Sequence, residues 1–166
     1  MAIEIERRFL VKGEEWKNLA LRHQHLRQGY LVTSLENLTV RVRILDSKKA
    51  WLTLKAPAEG ISMNEFEYLI PINDAEELWR LAKYKVTKKR YQLTLTQGSW
   101  IVDCFEEKNT PLVIAEVELK SVNQSVDLPS WCFQEITSIK KLSNAALAMN
   151  PICNWPRGSR IEINLS

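Results

Sequence analysis

The sequence predicts a mainly β protein with packed helices, an α+β fold whose antiparallel strands could close into a barrel, and three observations carry that expectation. Charged or polar side chains alternate with mostly apolar ones in seven separate stretches, five of which carry charges at a spacing of two, and turn-forming residues separate the stretches. Period two is the mark of a strand, because successive side chains leave a pleated backbone on opposite faces. With 166 residues, 45% of them hydrophobic, the chain suits one domain with one substantial core.

Residues 3–10 open the chain as a strand with Glu4, Glu6 and Arg8 on one face. A short helix is expected over 14–21, with Trp16, Leu19 and Ala20 as its apolar stripe, before RQGYLV resumes extended structure. LTVRVRIL, carrying Arg41 and Arg43, and AWLTLKA, carrying Thr53 and Lys55, read as a hairpin joined by DSKK. Pro57 and Gly60 mark a rim loop, and EFEYLI, with Glu65 and Glu67, is a strand stopped by Pro71. NDAEELWRLAKY is the clearest helix, with Asn73 or Asp74 as its cap and Leu78, Trp79, Leu81 and Ala82 as its apolar side. VTKKRYQLTL, with Lys88 and Arg90, and WIVDCFEE, with Asp103, flank the TQGS turn as a second hairpin. LVIAEVELK, with Glu116 and Glu118, is the last strong strand. VDLPSW turns away, SNAALAM forms a final short helix with Ser143 or Asn144 near its start, and 154–166 is expected to be an irregular tail on a domain spanning 1–153.

One strand of alternating charge normally means the wet face of a half-buried sheet. Seven such strands, five of them with paired acidic or paired basic residues, suggest more. Ile3, Ile5, Phe9, Val40, Val42, Ile44, Leu52, Leu54, Val117 and Leu119 form an apolar set that helices could cover, leaving the charges inside a closed barrel. The pattern alone does not separate an outer surface from a lined interior. An enclosed volume with acidic and basic walls is costly unless metals and anionic ligands fill it, so the chemistry implied is a metal-bridged polyphosphate.

Other function classes find little support. A net charge of +3, from 23 basic and 20 acidic residues, is too small to announce nucleic-acid binding. No apolar run approaches the roughly 20 residues of a membrane span, and MAIEIERR places charge where a signal peptide would need its apolar region. Cys104, Cys132 and Cys153 lack the spacing of a zinc knot or a disulfide framework, which makes a reducing cytoplasm the default. His23 and His25 read as an exposed pair without a catalytic role. Trp51 shares a face with Thr53 and Lys55, where it could stack on a base or thiazolium ring or simply pack a rim loop. A homodimer is allowed if the helices leave part of the apolar exterior bare.

EIERRFLV, RQGYL, VRVR, LTLK, EFEY, KKRY, VDCFE and AEVEL, in this order and spacing, resemble the CYTH family of triphosphate tunnel metalloenzymes from Glu4 through SNAALA. The resemblance implies an eight-stranded antiparallel barrel enclosing a charged tunnel, a divalent Mg2+ or Mn2+ cofactor, and a linear or organic triphosphate as substrate. The leading expectation is hydrolysis of inorganic triphosphate to diphosphate and phosphate. The alternatives are a nucleoside or thiamine triphosphatase, an adenylyl cyclase and a non-catalytic polyphosphate- or nucleotide-binding module. By motif, the family's ExExK signature falls on Glu4, Glu6 and Arg8, and Tyr30 matches a tyrosine found beside the signature lysine in some relatives. Glu116 and Glu118 match the closing acidic pair, and Arg41, Arg43, Lys55, Lys88 and Arg90 match the cations that grip phosphate. Asp103 joins Glu4, Glu6, Glu116 and Glu118 as a metal-site carboxylate, able to orient a metal or a basic residue, with Glu65 and Glu67 in support. The chain departs from the signature at Arg8. Arginine stays charged where lysine can lose its proton, so a tyrosine–lysine dyad is not expected, whereas a phosphate clamp is.

Overall fold

The computed structural model describes residues 2–33 and 38–163 and contains nine strands in one antiparallel sheet. The strands are β1 (Ala2–Val11), β2 (Ala20–Thr33), β3 (Thr39–Leu45), β4 (Lys49–Pro57), β5 (Ser62–Ile70), β6 (Tyr84–Leu93), β7 (Ser99–Phe105), β8 (Val113–Glu118) and β9 (Cys132–Glu135). Their order is β5-β4-β3-β2-β6-β7-β8-β1-β9, and an additional pairing of β5 with β1 closes the first eight into a barrel. Closure follows from how β1 divides its partners: Ala2 to Ile5 pair with β5, Glu6 to Leu10 with β8, and Phe9 to Val11 with β9.

The β3–β4 hairpin turns where DSKK predicted it. Asp46 and Ser47 take φ values of 49° and 54°, the left-handed pair that lets a tight turn follow the natural twist of its strands. The expected 14–21 helix is instead a single 3-10 turn over Glu15–Leu19 that buries Trp16, and β2 starts directly after it, so His23 and His25 lie on a strand. The ninth strand was not legible in the sequence, since four residues with mostly exposed side chains carry no alternation. Its dock is Arg7, whose Nε and Nη2 donate to Glu135 at 2.9 and 2.7 Å. That pairing accounts for the one charge on the apolar parity of β1.

Helix α1 (Ile72–Leu81) follows β5 and lies on the outside of the barrel. Ala75, Leu78 and Trp79 cover Val42, Ile44, Ala50 and Ile70, as expected of the apolar exterior. Leu81 was expected on the same side but is 76% exposed. The helix starts at Ile72, with Pro71 as N-cap and no side-chain cap, so Asn73 and Asp74 sit inside the first turn and do not cap it. Gly29 of β2 is required here: a Cβ would stand 2.8 Å from the Ala82 Cβ and 3.2 Å from Trp79 and Val42. A second part of the exterior, with Phe9, Trp100, Val102, Ala115 and Val117, is covered by Trp16 and Trp131.

One end of the barrel is packed shut with hydrocarbon. Leu10, Val86, Phe105 and Ile114 meet Ala145 and Leu147 of α2 (Asn144–Met149), together with Ile136, Leu142, Ile152, Trp155 and Ile163. Ser143 caps α2, its hydroxyl accepting from the Ala146 N–H at 3.1 Å. The stretch expected to be an irregular tail is built into the structure, with buried Trp155 and Ile163 and a short helix α3 (Arg157–Ile161). The last residues of that tail, 164–166, and the side chain of Ile3 lie outside the described residues.

Candidate active site

Pairing register decides which side chains share the interior, because residues directly opposite on antiparallel strands project to one face. Glu6 lies opposite Glu118, Arg8 opposite Glu116, Tyr30 opposite Arg41, Lys55 opposite Glu65, and Arg90 opposite Asp103. The charged rows thus converge. They line two adjoining cavities that share Glu6, Arg41, Lys55 and Asn144. The smaller, of about 150 Å³, adds Glu4, Arg43, Arg90, Glu116 and Glu118. The larger, of about 670 Å³, adds Arg8, Tyr30, Thr53 and residues of the 57–63 and 137–145 segments.

Behind the cavities runs a continuous chain of charge. Lys88 Nζ donates to Asp103 Oδ2 at 2.5 Å, and Arg90 grips both Asp103 oxygens at 2.8 and 2.7 Å. Arg90 Nη2 also donates to Glu116 Oε2 at 3.1 Å, and Glu116 Oε1 accepts from Arg8 Nε at 3.1 Å. Arg8 Nη1 ends the chain on the Leu142 carbonyl at 3.0 Å. Burial would raise the Asp103 carboxyl, but Arg90 and Lys88 hold it far below the usual carboxylate range. Two expectations change here. Asp103, read from the sequence as a metal-site carboxylate able to orient a metal or a basic residue, is fully buried with both oxygens on Lys88 and Arg90, so it takes the second of those roles. Lys88, read as a phosphate grip, has no exposed surface and lines neither cavity. Burial pushes its ammonium down to about 8 against the pull of Asp103.

The other predicted residues line the cavities, except Glu65 and Glu67, which only pair with cations that do. Lys55 pairs with Glu4 and, at 3.2 Å, with Glu65, while Arg43 pairs with Glu67. Burial and the neighbouring Arg41 push Arg43 down to about 10. Among the described residues Glu6 has no closer cation than Arg8, whose Nε lies 4.0 Å away. Burial, then the charges of Glu116 and Glu4, raise its carboxyl to about 7. Tyr30 is buried and its phenol raised by desolvation against the opposing pull of Arg41 and Lys55, so it stays protonated. Two buried guanidinium nitrogens, Arg8 Nη2 and Arg41 Nε, have no hydrogen-bond partner among the described residues. Trp51 lines neither cavity, and the Arg43 guanidinium lies over one face of its ring, 5.3 Å from the centroid.

Comparison with known proteins places this geometry. A CYTH domain pattern matches residues 2–147. The chain belongs to the CYTH domain family. An inorganic triphosphatase of Acetivibrio thermocellus is 37% identical over 157 residues, covering 93% of this chain and 99% of that protein. An inorganic triphosphatase of Nitrosomonas europaea is 34% identical over 151 residues, covering 89% and 97%. A crystal structure of an inorganic triphosphatase superposes with a TM-score of 0.63 at 33% identity, over 90% of this chain and 96% of that one. A protein from Pyrococcus furiosus, 20% identical with a TM-score of 0.58, shares the fold.

The CYTH domain also places residues in the cavity wall that sequence reasoning missed. Gln28, 1% exposed, lines the smaller cavity. Its signal was present, because it lies two positions before Tyr30 and so on the same strand face. Asn144 lines both cavities from α2, where no strand parity could have announced it.

Proposed function

We propose that this CYTH domain protein hydrolyses inorganic triphosphate to diphosphate and phosphate with the help of Mg2+ or Mn2+. The observation that carries the reading is the pair of unpartnered guanidinium donors, Arg8 Nη2 and Arg41 Nε, at the wall of two adjoining cavities bordered by four carboxylates and by cations of four strands. A buried donor left unpaired is costly, and a phosphate oxygen satisfies it with a charge-assisted bond. Arg43, Lys55 and Arg90 add positive charge for the rest of a linear polyanion. Inorganic triphosphatases among the relatives support a linear substrate, and Trp51, the clearest candidate for holding a base, lies outside both cavity linings.

The donor set suits a hard divalent ion. Glu6 and Glu118 face each other across the β1–β8 pair, and Glu4 and Glu116 complete the carboxylates that would hold it. Among the described residues no three acidic, histidine or cysteine side chains enclose an ion by themselves, so phosphate oxygens and water would fill the remaining positions. When bound, the ion supplies charge neutralisation and orients water for attack at phosphorus. The chain's own residues bind and position. Arg8 spends Nε on Glu116 and Nη1 on the Leu142 carbonyl, leaving Nη2 for the anion. Water adds to a terminal phosphorus, the bridging P–O bond breaks, and diphosphate leaves.

A comparison of kcat/KM for tripolyphosphate, ATP and thiamine triphosphate with each metal tests the substrate assignment. Tripolyphosphate is expected to lead by tenfold or more. A preference for ATP or thiamine triphosphate overturns the choice of substrate.

A further inference from the structure

We infer that Asn144 is a substrate-binding residue, a neutral donor that helix α2 holds in the tunnel wall and whose amide is oriented from behind by Lys88. This rests on the reading of the cavity as a triphosphate site. Lys88 Nζ donates to Asn144 Oδ1 at 2.9 Å. An ammonium group has only donors, so the amide oxygen must face Lys88. The Nδ2 end is thereby turned away from Lys88, and it has no protein acceptor among the described residues. Asn144 lines both cavities at their junction with Glu6, Arg41 and Lys55, so its amide hydrogens are presented where a phosphate oxygen would lie.

The surroundings fix this orientation. Lys88 is held by Asp103 at 2.5 Å and has no exposed surface, so it cannot swing out to release the amide. The backbone on the other side is pinned as well. Ser143 caps α2, and Arg8 holds the Leu142 carbonyl two residues before Asn144. Asp103, Lys88 and Asn144 form a relay from the barrel wall to the cavity in which each group fixes the next. Lys88 therefore acts on substrate only through Asn144, as a positioning residue, which accounts for a cation that lines neither cavity.

The chemistry makes a distinctive demand. An aspartate at 144 would keep one oxygen on Lys88 as a stronger, ionic contact and would turn the other toward the anion. Stability and binding should then move in opposite directions. Tripolyphosphate binding without metal is measured by calorimetry, KM and kcat with Mg2+ by phosphate release, and the melting temperature by calorimetric scan, for the natural protein, Asn144→Ala and Asn144→Asp. Asn144→Ala is expected to weaken binding about tenfold, the loss of one hydrogen bond to a charged group. It should raise KM more than it lowers kcat. Asn144→Asp is expected to weaken binding more than Asn144→Ala while melting at or above its temperature. Binding within twofold of the natural protein in both variants, or affinity that simply follows melting temperature, overturns the role of Asn144 alone. A natural protein that neither binds nor hydrolyses tripolyphosphate overturns the reading of the site, and this assignment with it.

Discussion

Arg8 shows how one side chain can serve fold and site together. Its planar fork holds Glu116, the Leu142 carbonyl and one unpartnered N–H, an arrangement a single ammonium cannot copy. Arg8→Ala should weaken tripolyphosphate binding by about 10- to 100-fold, the range for a charge-assisted hydrogen bond. Arg8→Lys should keep the charge but lower the melting temperature; calorimetry of both variants checks this, and unchanged affinity in Arg8→Ala removes the clamp. Glu6 gives a pH test. Its carboxyl lies near 7 in the fold against an ordinary 4.5, so its contribution to stability is present below 4.5 and lost as the pH rises through 7. In metal-free protein Glu6→Gln should therefore raise the melting temperature by several degrees at pH 8 and leave it unchanged at pH 5. Equal melting at both pH values would contradict the crowding of Glu6 by Glu4 and Glu116.

Elements were legible where a local rule was strong and obscure where tertiary contact decided. The DSKK turn, the Ser143 cap and the period-two rows are local signals, and each is found in the fold. Strand β9 exists because β1 offers an edge and Arg7 a partner for Glu135, neither of which can be read from CFQE itself. The C-terminal stretch looked irregular because its order comes from burying Trp155 and Ile163 against the closed end of the barrel. Two substitutions test these elements. Ser143→Ala removes the acceptor for the Ala146 N–H and should cost about 1 kcal/mol, a fall of about 2–4 °C in melting temperature for a chain this size. Gly29→Ala forces a methyl group to 2.8 Å from Ala82, and overpacking of this kind costs about 1–3 kcal/mol. A Gly29→Ala protein that melts like the natural one would mean α1 moves away freely.

At the scale of the whole molecule, the sequence carried the face on which each charge sits but not its depth. Parity grouped Glu4, Glu6, Arg8, Arg41, Arg43, Lys55, Arg90, Glu116 and Glu118, and the closed barrel brings them to one cavity wall. Parity also grouped Lys88 and Asp103 with them, yet these sit behind the wall because the hydrocarbon plug and α2 close that end of the barrel. Depth is a property of packing across the barrel, and no single strand encodes it. An interior that holds opposed charges with unpaired guanidinium donors is poorly satisfied alone and should bind a metal–polyanion complex. The most direct test is phosphate release from tripolyphosphate by the purified protein with Mg2+ or Mn2+, set against a Glu4→Ala control. Sustained release that needs the metal and falls at least tenfold in the control is the predicted result; release no greater than the control with either metal would contradict the account.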